Sequence, residues 1–403
     1  MHFAPPENAR KQLIDSVVAT FKQRFYDPRL HGVSLRELVE RHHAELLKTD
    51  AFSQEMNQLL SAFKAYPIDF FHNSEKRITL WKTMEATFHE YGRRWVFQDV
   101  LPGGFADHAG VRPGALLLSL NGQEISASEI PQFSPLPEVA VTFQNPGQAP
   151  ESFTFNPDSN RTRNDDSKYI THALLHPGVG YVRITKFPGI LGIGIARATD
   201  RALRDLDKPR VLIIDLRGNL GSVGAGNLRL MGYFTPEKMP VGYSLTRARA
   251  EQGYCREDLV QFTQIPRSEL LAPLTLLKFK DVDKSIVVVT EGLGQQSFHS
   301  RILLLVNEHT ISGGEIVAGF ASDHQFATLI GTTTSGHLLA WSTLSVGYEY
   351  FLTLPVGNYL TWEGKSFEGT GVIPNHSVPF SPEGARNGID VQLETALDMA
   401  SHL

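Results

Sequence analysis

Hydrophobic residues recur every three or four positions through residues 1–90, which is helical spacing. "NARKQLIDSVVATFKQRF", "SLRELVERHHAELL", "SQEMNQLLSAFKAY" and "RITLWKTMEATFHEYG" each predict a helix. The second opens on Ser34 with Glu37 three residues on, a capping box. From about Arg94 the period changes to two. "RWVFQDV", "ALLLSLNG", "EVAVTFQN" and "SFTFN" predict short strands divided by Pro, Gly and Asn turns. "PDSNRTRNDDSK", 157–168, is polar and predicts a linker. Beyond it, strands alternate with helices. "GYVRITKF", "RVLIIDL", "RILLLVN" and "FATLIG" predict strands, and "ILGIGIARATDRALRDL", "GAGNLRLMGYF", "GGEIVAGFASD" and "GIDVQLETALDMA" predict helices. That alternation implies an α/β fold with a largely parallel sheet. Three regions follow: a helical region over 1–91, a small β domain over 92–157 and an α/β core over 168–403. Residues 250–300 give no clear pattern.

The length of 403 residues agrees with two or three domains. A composition of 41% hydrophobic and 20% charged residues is that of a soluble globular protein. With a net charge of −5 and no basic stripe, nucleic acid is not an expected partner. The longest apolar runs, "ALLLSL" and "ILLLV", are strand-length, so no membrane span is expected. The start of the chain lacks a basic segment followed by an apolar one, which predicts a cytoplasmic protein, a trimmed secreted chain being the alternative. A lone Cys255 cannot form a disulfide within the chain and fits a reducing compartment.

Three motifs fail on inspection. "GTTTSGH" imitates a phosphate loop but has His337 and Leu338 where Lys and Ser or Thr are needed. "GIGIAR" lacks the third glycine of a dinucleotide fingerprint. His42 and His43 are adjacent on a helix and point about 100° apart, so they do not chelate one metal.

Three others fit one chemistry. "IIDLRGNLGS", 213–222, ends a buried strand in Asp215 and a Gly-rich loop, where backbone N–H groups can face a ligand or simply make a tight turn. "HTISGGE" places Ser312 at a helix mouth. Ser312 and Glu315 make a second capping box, or Ser312 is a nucleophile beside free N–H groups. "TTTSGHLLAW" places His337, a general base or a satisfied core histidine, after a strand-ending glycine turn.

The order "DLRGN", "VNEHTISGGE", "IGTTTSG", "EGTGVIPN" resembles the serine peptidase family of carboxyl-terminal processing proteases and tricorn-like proteases. "VLPGGFADHAGVRPGALLLSLNGQEI" resembles the PDZ domain that such proteins carry before the core. The resemblance implies a ClpP/crotonase-like α/β core preceded by a PDZ-like domain and the helical region. It implies Ser312 as nucleophile, the N–H groups of Gly218 and Gly313 as oxyanion hole, and Glu368 as the carboxylate that orients the base. No metal or cofactor is implied. His337 stands where the processing branch has its lysine base. The tricorn-like branch takes a histidine from an N-terminal stretch. The matching "FKAYPIDFF" has none, and His72, just after it, is the alternative base. Ser222, Asn375 and Ala115 are further departures from the pattern. The implied activity is acyl-enzyme hydrolysis of peptide or protein substrates, with the PDZ-like domain tethering a chain end by strand addition. A non-catalytic ligand-binding relative and an acyl-transferring or cyclising enzyme are the rival readings.

Overall fold

A computed structural model of the chain describes residues 5–158, 169–188, 192–221, 224–265 and 285–403. Most of the predicted linker (159–168), Ser222 and residues 266–284 lie outside these.

The core is a six-stranded sheet in the order Ile170–His176, Val179–Ile184, Val211–Asp215, Arg301–Val306, Thr328–Gly331, His376–Ser377. Only its first pair is antiparallel. The two central strands are apolar because both faces are covered. Leu212, Ile214, Leu304 and Val306 pack under the helices Ile193–Asp205, Ala225–Gly232 and Gly313–Asp323. Val211, Ile213, Leu303 and Leu305 pack on Ala396 and Ala400 of the helix Val391–Ser401. The loops after Asp215 and Val306 leave adjacent parallel strands at their carboxyl ends, the usual place for a ligand crevice in such sheets.

A second sheet, largely antiparallel, was not predicted. Its order is Asp69–His72, Tyr350–Thr361, Pro240–Thr246, Ile286–Val289, Val260–Phe262, with Ala340–Gly347 also paired to Tyr350–Thr361. The N-terminal helices Glu7–Arg24, Leu35–Leu46 and Phe52–Leu60 use this sheet as their floor: Phe21, Phe25, Phe52 and Phe63 share one core with Tyr350, Leu352 and Leu354. Ser34 accepts the Glu37 N–H at 3.3 Å, as the capping pattern predicts.

The small β domain holds Ala86–Tyr91, Arg94–Val100, Leu116–Leu120, Val139–Gln144 and Glu151–Phe155 in that order. Its first strand corrects the helix predicted over 77–92. The helix is only Leu80–Met84; Glu85 turns left-handed (φ 53°), and the chain continues extended. Pairing with Arg94–Val100, with Phe88 on Phe97 at 4.8 Å, outweighs the helical spacing. The sheet therefore begins before residue 92. Among the described residues no helix is long and apolar enough to cross a membrane.

Candidate active site

Glu315 organises the site. It is completely buried in the first turn of the helix Gly313–Asp323. One carboxylate oxygen accepts Thr334 Oγ1 at 2.7 Å and the Gly336 N–H at 2.5 Å. The other accepts the N–H groups of Ser312 at 3.0 Å and His337 at 2.9 Å. One side chain thus ties the Ser312 turn to the His337 loop, and Ser312 N–H also donates to the His337 carbonyl at 3.2 Å. The loops meet closely enough to need glycine. A Cβ on Gly336 (φ +71°) would lie 2.9–3.0 Å from the N–H groups of Gly369, Thr370 and Gly371.

Ser312 sits at the helix N-cap with φ 49° and ψ −111°. The Glu315 half of the capping box forms, but Ser312 Oγ receives no cap hydrogen bond. The box expected from "SGGE" is thus closed at full hydrogen-bond geometry only from the Glu315 side, with Ser312 Oγ near the Glu315 N–H but short of a bond to it. Among the described residues the oxygen has no hydrogen-bond partner. The neighbouring Gly313 N–H, at the start of the helix, also has no acceptor among the described residues.

Gly218 differs from expectation. Its N–H is buried and already donates to Asn307 Oδ1 at 2.9 Å. Asn307 Nδ2 in turn donates to Asp99 of the small β domain at 2.8 Å, and Asp99 also accepts Thr87 Oγ1 at 2.6 Å. A brace from the small sheet thus occupies the donor expected to face an oxyanion. Gly221, on the same loop, is the residue whose backbone lies against Ser312: a Cβ there would come within 2.8 Å of Ser312 Cβ.

His337 is held by neighbours that the sequence did not suggest. Its Nδ1 shares a hydrogen with Ser335 Oγ at 2.5 Å, and its ring stacks on Tyr66 at 4.1 Å. Tyr66 comes from "FKAYPIDFF", so that stretch does reach the site, with a tyrosine in place of a histidine. Burial and the nearby Lys82 ammonium hold the His337 pKa below its ordinary value. Lys82 lies against the indoles of Trp81 and Trp341, and its own pKa is lowered by burial. No hydrogen bond joins His337 to Ser312 Oγ. Beside His337, Tyr66, Glu368, Tyr26 and His31 line a cleft of about 360 Å³.

Glu368 does not touch the imidazole by hydrogen bond. It accepts the N–H groups of Leu338 at 2.7 Å and Leu339 at 3.1 Å, fixing the backbone just after His337. Burial raises its pKa to about 7, against the effect of those two donors. His72 lies elsewhere. It pairs with Tyr350 at the far tip of the hairpin that starts at Ala340, about 20 Å along the strand from the His337 end. Its Nδ1 is engaged by Ser74 at 2.7 Å. The structure therefore separates His72 from Ser312. The adjacent histidines are surface groups of a helix, with His42 bonded to Glu55 at 2.6 Å.

Residues 178–378 match peptidase family S41. The chain is thus similar to that family over about half its length, the α/β part. It is 24% identical over 316 residues to a carboxyl-terminal-processing protease of Synechocystis, covering 74% of this chain and 63% of that protein. It is 24% identical over 305 residues to a chloroplastic C-terminal processing peptidase of Tetradesmus obliquus, covering 70% and 56%. The chain thus spans less than two thirds of the length of these relatives. Among solved structures it resembles a photosystem II D1 C-terminal processing protease, with a TM-score of 0.55 and 18% identity over 94% of this chain and 96% of that one. It resembles mature CPAF complexed with lactacystin with a TM-score of 0.58 and 12% identity, over 98% of both chains. These likenesses bear out the mixed α/β fold expected from the sequence. Asn307, Ser335, Tyr66 and Lys82 were not assigned roles from sequence. Glu315 was read only as the capping partner of Ser312, and its tie to the His337 loop was missed.

Proposed function

We propose that the protein is a serine peptidase of the carboxyl-terminal-processing type. Ser312 attacks a peptide carbonyl and forms an acyl-enzyme; His337 takes and returns the proton; the Gly313 N–H holds the oxyanion, joined by Gly218 once Asn307 lets it go. Glu315 and Glu368 position the two loops. The observation that carries this reading is the Ser312 hydroxyl, without a hydrogen-bond partner among the described residues, at a helix N-terminus in a turn fixed by a buried carboxylate that also holds the His337 loop. The name of the Synechocystis relative supports it. We read the small β domain as PDZ-like and as a tether for a substrate chain end, supported by the "PGGFADHAGVRPG" turn and the edge strand Ala86–Tyr91. With His337 rather than an N-terminal histidine as base, the protein stands on the processing side of the family and not the tricorn-like side. A reducing, cytoplasmic setting is part of the proposal, supported by the exposed thiol of Cys255.

One observation favours the rival, a non-catalytic binding relative: His337 is bonded to Ser335 and Gly218 to Asn307, so neither faces Ser312 in this arrangement. A fluorophosphonate probe separates the two. Covalent labelling of the wild-type chain, lost in Ser312→Ala, supports the peptidase. A wild-type chain that stays unlabelled, while still binding peptide, supports the rival.

A further inference from the structure

A second cavity, of about 520 Å³, opens between the small β domain and the core, apart from the cleft beside His337. Its lining carries four guanidinium groups, Arg112, Arg183, Arg217 and Arg386, against two carboxylates, Asp99 and Asp390. The carboxylates are already used. Asp390 is held bidentately by Arg217, at 2.7 and 2.8 Å. Asp99 accepts from Asn307 and Thr87. Just behind the lining, Asp215 partners Arg217 and stands by Arg183, so what remains is one guanidinium charge in excess, with donors left over.

Two groups stand out. Gln98 is only 4% exposed; its amino group completes no hydrogen bond among the described residues, and its carbonyl has only a weak approach to the His89 ring. Arg183 is part-buried, with its Nε and Nη2 atoms shielded and unbonded among the described residues; its Nη2 stands 3.7 Å from Asp99 Oδ1, beyond hydrogen-bond length. A buried amide left without a full partner is destabilising, so such groups call for one. Phe380 and Ile389 give the same cavity an apolar wall.

We propose that this cavity binds a small organic oxyanion, with its anionic head on Arg183 and Arg112, a polar group on Gln98 and an apolar body against Phe380 and Ile389. The planar guanidinium fork suits carboxylate and phosphate alike. The apolar wall requires more than a bare ion.

Calorimetric titration of the full chain tests this with three probes. N-acetyl-leucine supplies a carboxylate on an apolar body, inorganic phosphate a head alone, and N-acetyl-leucinamide the body alone. Saturable one-to-one binding of N-acetyl-leucine is expected, at least tenfold tighter than the neutral amide. Binding of phosphate tighter than N-acetyl-leucine would assign the head to phosphate and overturn the apolar part. Gln98→Leu and Arg112→Ala should each weaken N-acetyl-leucine at least tenfold. Arg112 is at the surface, so its variant reports even if Gln98→Leu fails to fold. Equal affinity for acid and amide, no binding by any probe, or an undiminished affinity in folded Arg112→Ala would overturn the proposal.

Discussion

Asp215 and Glu315 are both completely buried carboxylates at the carboxyl end of the parallel sheet, and they are held in opposite ways. Asp215 is gripped by charge. Arg217 reaches it through its backbone N–H, Nε and Nη2 at 2.7–3.0 Å, Tyr181 adds its hydroxyl at 2.8 Å, and the same guanidinium clamps Asp390 next to the C-terminal helix. Glu315 has no cation among its hydrogen-bond partners. Three backbone N–H groups and one hydroxyl hold it, all from the two loops that carry Ser312 and His337. Both pay the same desolvation, but the outcomes differ. Arginine pulls the Asp215 pKa down to about 2, while burial leaves that of Glu315 raised. Asp215 is a rivet between sheet and helix. Glu315 is a cradle that fixes loop positions and keeps less electrostatic reserve.

If the cradle serves chemistry and the rivet serves the fold, variants at the two should fail differently. The largest effect belongs to what the cradle holds. Ser312→Ala should lower kcat/KM by roughly 10⁴-fold or more, since a nucleophile and its base act as a unit. Stability should change by less than about 0.5 kcal/mol, because the hydroxyl makes no cap bond to lose. A folded Ser312→Ala with near-normal turnover would end the assignment of the nucleophile.

Asp215→Ala should show the opposite pattern. It strands Arg217 and Arg183 without their buried partner, which costs about 3–5 kcal/mol in chemical denaturation. The specific activity of the folded fraction should fall far less than in Ser312→Ala. The wild-type pH dependence has a definite sign. The Asp215 pKa is depressed from 3.8 to about 2, so its stabilisation is complete above about 4 and is lost as pH falls towards 2. Glu315→Gln is intermediate. The amide keeps the shape but turns an NH₂ towards two of the four donors. Two mispaired groups should cost kcat about 10- to 100-fold with KM little changed. Equal damage to KM and stability would make Glu315 a second rivet.

The contrast also explains what could be read from sequence. "RVLIIDL" and "RILLLVN" are legible because strands buried on both faces are uniformly apolar. Ser312 is legible because "SGGE" combines a capping signal with glycines that let a ligand approach. The hairpin Ala340–Thr361 escapes notice because its first strand is mostly exposed Ser, Thr and Trp, and its register shifts at both ends. The false helix over 77–92 arises from Ile78, Trp81, Met84 and Phe88, which fit a helical period by accident. Asn307, Ser335, Tyr66 and Lys82 are ordinary residues until distant elements bring the first to Gly218 and the other three to His337. A local pattern cannot carry that information.

The smallest effect concerns the base itself. His337 must be neutral to accept the Ser312 proton, so activity should fall on the acid side as the ring is protonated. Burial and Lys82 both disfavour the imidazolium, which places the midpoint of the acid limb of kcat/KM below 6.5. Lys82→Gln removes the charge while keeping a long side chain against the two indoles. The midpoint should rise towards 6.5 without reaching it, because burial of the ring, the larger cause, is unchanged. High salt should produce the same rise in the wild type and none in the variant. Neither change should alter the fold, since Lys82 makes cation–π contacts but no ion pair among the described residues. A wild-type midpoint at or above 6.5, or one that Lys82→Gln leaves in place, would mean that His337 does not carry the titrating proton.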